Sequence, residues 1–203
     1  MKKTAKILSA LLIFLMSAIL VCGCAKGKNA SENTIYIDKK GKVTDAIVEK
    51  WDKEIYDDSE LEKQIKDEIK QFEAANKDSF VKLEKFEIEE KQAKVNLKYD
   101  SLNSYEKFNN VTAFCGTIKE AQKEGYDFSG EFKSTGKKPA ITINEINESE
   151  EYAVYIISEH TKIVTQRKIL YASSNVKISN NKKSASFTGE ADDKDYIYLI
   201  YKK

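Results

Sequence analysis

The chain has 203 residues, of which 33% are charged, and its formal net charge at neutral pH is +1. Acidic and basic residues are mixed along the sequence, so we expect no nucleic-acid partner and no strong electrostatic attraction to anionic lipid. Arg167 is the only arginine. Planar bidentate recognition of phosphate or carboxylate favours arginine, so the chain can offer it only once.

The first residues have the layout of a secretory signal peptide. Lys2, Lys3 and Lys6 form a basic start, and a mostly apolar stretch follows at 7–21. This stretch is shorter than the about 20 apolar residues that a membrane-spanning helix needs, but it suits the apolar region of a signal. The sequence therefore predicts export.

The signal ends in Val21-Cys22-Gly23-Cys24. This ending resembles a bacterial lipobox, in which an aliphatic residue and then a small one precede the lipidated cysteine. Cys22 fits this pattern less well, because Val21 would then occupy the place of the small residue. The resemblance implies cleavage before Cys24 and a diacylglyceryl thioether on its sulfur. The alternative is an ordinary secretory signal that is cleaved nearby without lipidation.

The resemblance to lipoproteins implies a location and a first partner. The mature protein would be held by its lipid on the outer face of the cytoplasmic membrane, or on the outer membrane if the cell is Gram-negative. Two or more acyl chains are enough for stable anchoring. In composition and layout the rest of the chain resembles small lipoproteins of Gram-positive clostridia, a likeness that transfers no functional residue.

The predicted organisation has three parts. Residues 1–23 are the signal, 24–33 are the lipidated cysteine and a flexible tether, and 34–203 form one α+β domain with a candidate subdomain junction at 129–139. Removing the signal removes three lysines and no acid, so the net charge changes from +1 to −2. Only Cys115 then remains beside the lipidated cysteine, so no disulfide can form within the domain.

The domain is predicted to open with a β-hairpin and a long helix. The hairpin strands are 34–38 and 43–51, with Gly41 in the turn. Ser59 and Glu62 have the spacing of a capping box, which predicts that a helix starts there. Four apolar residues then recur at helical spacing and form one stripe: Leu61, Ile65, Ile69 and Phe72.

A second hairpin and two short helices are expected next. The hairpin strands are 80–88 and 93–99, and a bulge near Glu84 and Lys85 would reconcile the two phases of the first strand. A short helix is predicted over 101–109. Thr117 and Glu120 form a second capping box, which opens a helix that Gly125 should end.

The remainder of the chain is predicted to be β-structure. The spacings between strands are too short for βαβ crossovers, so the sheet should be mainly antiparallel. The predicted fold is therefore α+β, with one long and two short helices and an all-β C-terminal part. The strands expected after the junction are 141–146, 152–157, 162–165, 168–172, 176–178, 184–187 and 196–201.

Catalytic and metal-binding patterns are weak in this sequence. Cys115 and His160 could form a nucleophile–base pair, but no local signature supports one, and a small buried thiol in a strand is the simpler interpretation. Asp192, Asp193 and Asp195 cluster without the spacing of a calcium loop. We therefore expect no cofactor, no metal and no enzymatic activity.

One segment gives a hint of a binding surface. Residues 101–128 are irregular and rich in aromatic side chains, and exposed rings beside amides are suited to stacking on sugars or gripping peptides. Asn109, Asn110 and Tyr126 are the candidate binding residues. The alternative is that the rings complete the core beneath short helices. The aromatic residues are Tyr105, Phe108, Phe114, Tyr126 and Phe128.

Three functions remain open at this point. The leading hypothesis is a non-enzymatic, membrane-tethered module that binds another envelope protein or a wall glycan. The second is an accessory lipoprotein that captures a sugar or a peptide. A hydrolase that uses two dispersed carboxylates is the third, and it requires a pair of acids at catalytic separation in a cleft.

Overall fold

A computed structural model describes residues 30–51, 57–136, 140, 142, 151–189 and 196–203. Three α-helices and twelve β-strands lie in these ranges, and most strand pairs are antiparallel, which confirms the predicted α+β class and its strand-rich C-terminal part. The predicted signal, Cys24 and most of the tether lie outside the described residues. So do the acids at 192–195 and almost all of the strand expected at 141–146.

The described elements follow in chain order. The helices are α1 (Asp58–Ala75), α2 (Leu102–Asn109) and α3 (Ile118–Lys123). The strands are β1 (Thr34–Ile37), β2 (Val43–Lys50), β3 (Val81–Glu89), β4 (Gln92–Tyr99), β5 (Ala113–Thr117), β6 (Lys133–Ser134), β7 (Tyr152–Ile157), β8 (Lys162–Thr165), β9 (Ile169–Ala172), β10 (Val176–Ile178), β11 (Ser184–Phe187) and β12 (Ile197–Lys202). Within these ranges no helix is long and apolar enough to cross a bilayer.

The strands form two sheets. The first sheet has seven strands in the order β10-β11-β8-β1-β2-β4-β3, and the second has five in the order β5-β7-β12-β9-β6. All pairs are antiparallel except β1 with β8, which run parallel. Because β8 follows β7 of the second sheet along the chain, the chain passes from one sheet to the other between these two strands.

Several local predictions are confirmed. The register of β3 against β4 shifts between Leu83 and Lys85, where the bulge was expected. The Thr117 hydroxyl accepts a hydrogen bond from the Glu120 backbone N–H at 3.1 Å, and the Glu120 carboxylate accepts one from the Thr117 N–H at 2.8 Å. This capping box starts α3, and Gly125, with φ +90°, follows its end.

The predicted start of the long helix is wrong by two residues. Asp57, not Ser59, is the N-cap: its Oδ1 accepts hydrogen bonds from the backbone N–H groups of Ser59 at 2.8 Å and Glu60 at 3.0 Å. The Ser59 hydroxyl also donates to this oxygen. A charged carboxylate is a stronger acceptor than a hydroxyl, so Asp57 takes the cap and the capping box with Glu62 is not formed.

One apolar cluster combines the inward rows of both sheets with α1 and α2. The first sheet contributes residues such as Ile35 and Leu97, and the second sheet contributes Ile157 and Leu199. In the helices, the contributing buried residues are Ile65, Ile69, Leu102 and Tyr105. The cluster therefore contains residues from both sides of the candidate junction at 129–139.

The second sheet is apolar on its other face as well. Phe114, Ile156 and Tyr198 are aligned across β5, β7 and β12, so their side chains share that face. They belong to a second cluster with Ile118 and Ala121 of α3. This helix and the chain that follows it cover part of the outer face of the second sheet.

The central position of β12 predicts a large cost for truncating Leu199. This side chain is fully buried between the sheets, and we expect Leu199→Ala to lower the free energy of unfolding by about 2–5 kcal/mol. Urea unfolding of the two proteins measures the difference. Leu170→Ala, at a half-buried leucine of neighbouring β9, should cost less than half as much. Equal losses at the two positions would contradict the packing described here.

Candidate functional site

The outer face of the second sheet carries a row of aromatic rings. We call the four rings Phe114, Tyr126, Tyr196 and Tyr198 the aromatic face. Their centroids follow one another at 5.4, 5.7 and 6.4 Å. The first three rings are half-buried, whereas Tyr198 is buried. The row is therefore held by ring-to-ring contacts and still presents part of each outer ring to solvent.

Two glycines position the rings of this face. A Cβ atom at Gly116 would lie 2.6 Å from Cζ of Phe114, so only glycine lets that ring lie against β5. Gly125 adopts φ +90° after α3, a conformation that disfavours other residues. The next residue, Tyr126, donates its backbone N–H to the Ala121 carbonyl at 3.1 Å. The turn thus directs Tyr126 back over the sheet.

Tyr126 lies in an acidic environment. Burial raises the pKa of its hydroxyl, and the nearby carboxylates of Glu106 and Glu124 raise it further. The hydroxyl therefore stays protonated and can donate a hydrogen bond at physiological pH. Ring, hydroxyl and carboxylates together suit a partner that carries an apolar surface beside hydroxyl or ammonium groups.

The two candidate asparagines, Asn109 and Asn110, differ in their contacts and their exposure. The side-chain amide of Asn109 donates to the Tyr99 hydroxyl at 3.2 Å and to the Tyr105 carbonyl at 3.0 Å. The amide group therefore holds α2 to its neighbours, while the residue as a whole is half-buried, as Tyr126 is. Asn110 is exposed and ends α2 in the left-handed conformation, with φ +53°.

The aromatic segment divides between the two clusters. Tyr105 is buried and Phe108 half-buried in the cluster between the sheets, where both pack edge-on against Tyr99. Phe114 and Phe128 belong to the outer cluster. Both interpretations of this segment therefore apply, each to a different part of it.

Cys115 and His160 have separate neighbours. The Cys115 sulfur lies 3.5 Å from the Tyr201 hydroxyl, whereas the His160 ring stacks on Phe187 with centroids 3.7 Å apart. Neither of these two contacts joins the thiol to the imidazole, as a nucleophile–base pair would require. The expectation that Cys115 is buried is wrong, because β5 is an edge strand and the residue is exposed.

Tyrosine rings and the single arginine surround the Cys115 thiol. Tyr155 and Tyr201 are stacked with centroids 4.4 Å apart, and Arg167 lies over the Tyr201 ring at 5.3 Å. Desolvation beside these rings raises the thiol pKa, although the residue as a whole is exposed. Arg167 donates to the Lys39 carbonyl at 3.1 Å. Its guanidinium thus connects the turn after β1 to the second sheet.

Sequence analysis missed a pair of half-buried acids. Asp45 and Glu159 are electrostatic neighbours. Burial raises the pKa of Glu159 to about 7, and burial and then Glu159 raise that of Asp45. The sequence pattern that could have indicated Asp45 is its position on the same strand face as the apolar residues Val43 and Ile47. Glu159, in a polar segment between strands, gave no signal.

Two surface depressions stand out among the described residues. Neither is lined by the aromatic face or by the acid pair. The larger, about 540 Å³, is lined by Lys168, Leu170, Asn180, Asn181, Lys182 and Lys183. The smaller, about 390 Å³, is lined by Ala30, Ser31, Lys85, Glu87, Glu89, Gln92 and Lys94. Among the described residues no group of three His, Cys, Asp or Glu side chains could hold a metal ion.

No known protein family, curated protein or solved structure matches the chain.

The environment of Cys115 predicts slow alkylation despite its exposure. A raised thiol pKa leaves less thiolate, which is the reacting species, so at about pH 8 iodoacetamide should react more slowly with native than with urea-unfolded protein. Mass spectrometry of the peptide that contains Cys115 gives both rates. Tyr201→Phe should slow the native reaction further, because the Tyr201 hydrogen bond lowers the thiol pKa. A native rate above the unfolded rate would refute this assignment.

Proposed function

We propose that the protein is a lipid-anchored binding module of the bacterial envelope. Cys24 would hold it on the outer face of the cytoplasmic membrane, and the aromatic face would contact another envelope protein or a wall component. The observation that carries the proposal is the row from Phe114 to Tyr198, in which three rings remain half-exposed. Rings of this kind supply large contact area at low cost in side-chain entropy.

The surroundings of the rings support an open contact surface. A pocket lined by the aromatic residues of 105–128 would have favoured small-ligand capture, but Tyr105 and Phe108 pack between the sheets. The two surface depressions are lined mainly by polar and charged side chains. A hydrolase of this kind needs two acids in a cleft, and the acid pair Asp45 and Glu159 lines neither of these two depressions.

The short tether limits where the module can work. Five residues, 25–29, and thus six Cα-to-Cα steps, separate the proposed lipid site at Cys24 from Ala30, the first described residue. Their full extension is about 20 Å. Ala30 and the β3–β4 turn would therefore lie at the end of the domain that is close to the lipid surface. The module would bind a partner that lies near the membrane surface, within the reach of this tether or just above it.

Cys24→Ser tests the anchor. It should abolish incorporation of a labelled fatty acid and move the protein from the membrane fraction to the medium or soluble fraction, because the thioether can no longer form. Cys115→Ser is the matched control and should leave both labelling and membrane retention unchanged. Full retention of the Cys24→Ser protein on the membrane would contradict lipid anchoring at this residue.

Tyr126→Ala tests the contact surface. The full-length tagged lipoprotein is crosslinked in cells, and the co-purifying proteins and wall fragments are identified by mass spectrometry. We expect Tyr126→Ala to reduce recovery of the partner at least about tenfold, as for a central interface aromatic, and Tyr126→Phe to retain most of it.

The control for this experiment is Tyr36→Ala. Tyr36 is likewise a half-buried tyrosine, but it lies on β1 of the first sheet. Its substitution should leave recovery unchanged, provided that urea unfolding shows both variants folded. Equal recovery with Tyr126→Ala and the unmodified protein would refute the role of the aromatic face. Recovery of glycan alone would identify a wall component as the partner.

A further inference from the structure

Asp45 and Glu159 are half-buried acids beside the apolar cluster between the sheets. Asp45 is on β2, an interior strand of the first sheet, directly opposite Ile35 of β1 and Leu97 of β4. Both of these neighbours are buried in the cluster between the sheets. The side chain of Asp45 shares their face, so its carboxyl group is directed into the apolar layer.

The second acid, Glu159, lies in the segment that connects β7 of the second sheet to β8 of the first sheet. Glu159 follows the end of β7 by two residues, and its Oε2 atom is buried without a hydrogen-bond partner. Among the described residues, it is the one side-chain oxygen or nitrogen atom that is buried without a hydrogen-bond partner. A buried carboxylate oxygen without a donor carries a large desolvation cost, and a proton on the carboxyl group removes most of that cost.

The other groups around the pair do not neutralise it. The hydroxyl of Tyr99, on β4, lies within the field of both acids, and burial followed by Asp45 raises its pKa. That hydroxyl accepts the amide N–H of Asn109 from α2. Among the described residues, burial and then the charge of Glu159 raise the pKa of Asp45, and burial raises the pKa of Glu159.

The segment that carries Glu159 connects three parts of the fold. We call residues 158–161 the docking segment. The backbone N–H of Ser158 donates to the Thr112 carbonyl at 3.0 Å, just before β5. The Thr161 hydroxyl donates to the Asn33 carbonyl at 2.6 Å, just before β1. Since Asn33 ends the predicted tether, the segment links the base of the tether to the second sheet.

We propose that protonation of Asp45 and Glu159 controls this docking segment: it keeps its contacts with Thr112 and Asn33 while the pair holds a proton and loosens when both carboxyl groups ionise. Two carboxylates cannot both be charged in a shared apolar site without strong repulsion. Loosening would break the link between the base of the tether and the second sheet. The position of the domain relative to the lipid anchor would then depend on pH, a consequence that rests on the proposed function.

The direction of the effect follows from proton linkage. Both pKa values are raised in the folded protein, so the folded state binds protons more tightly than the unfolded state. The packed arrangement is favoured at low pH, and it loses stability as pH rises toward the folded pKa of Glu159 at about 7. Within the docking segment, His160 stacks on Phe187. Lys162, the first residue after the segment, pairs with Glu32 at 2.8 Å.

Hydrogen exchange of the full-length lipidated protein in detergent micelles tests the proposal. Rates are measured at about pH 6 and about pH 8 and corrected for intrinsic chemical exchange. The opening constant of the docking segment and of Thr112 should rise with pH, by up to about tenfold per pH unit for each proton released. Amides of α1 should show no comparable rise.

Two sets of variants make the test specific. Asp45→Asn combined with Glu159→Gln keeps shape and removes both charges, so it should stay protected at both pH values. Glu84→Gln, on the solvent side of the first sheet, should retain the pH dependence. Equal opening at both pH values in the unmodified protein would overturn the proposal, as would a dependence that persists in the double variant.

A direct titration covers the case in which the double variant fails to fold. Carbon-13 NMR of the side-chain carboxyl groups follows the ionisation of each acid in the unmodified protein. The Glu159 carboxyl should titrate near pH 7, and Asp45 should titrate well above the ordinary aspartate range. Titration of both groups at ordinary values would overturn the proposal.

Discussion

The second sheet is apolar on both faces, and the rest of the fold follows from this constraint. In β7 and β12 almost every residue is buried whichever way its side chain points. Tyr155 and Leu199 share one face, and Ile156 and Tyr198 share the other. Both faces must be removed from water. The first sheet, α1 and α2 cover one of them, while α3 and the chain around Tyr126 cover the other.

The layers that cover the two faces of the second sheet differ in size, and this difference leads to the proposed function. The inner side is closed by a seven-stranded sheet and two helices, whereas α3 has only six residues. Aromatic rings complete the outer layer, and Phe114, Tyr126 and Tyr196 keep part of their surfaces accessible. A partner that covers these rings would complete the burial that the described residues leave unfinished. The anchor proposed at Cys24 would restrict that partner to the envelope.

Local patterns predicted much of the fold but not its interior chemistry. The stripe along α1 and the capping box at Thr117 each depend on residues close in sequence, and each was confirmed. The division of the aromatic residues depends on which face of which sheet a ring meets, so Tyr105 and Tyr126 could not be separated in advance. Asp45 was visible as a break in an apolar face, but its neighbour Glu159 is 114 positions away. Only the packed sheets bring the two together.

The most direct test of the account is site-specific photocrosslinking from the aromatic face in living cells. Tyr126 is replaced by p-benzoylphenylalanine in the full-length lipoprotein, and the same probe is placed at Phe80, an exposed ring at the start of β3. The account predicts one discrete adduct with an envelope component from position 126 that is absent from position 80. No adduct from position 126, or the same adducts from both positions, would contradict it.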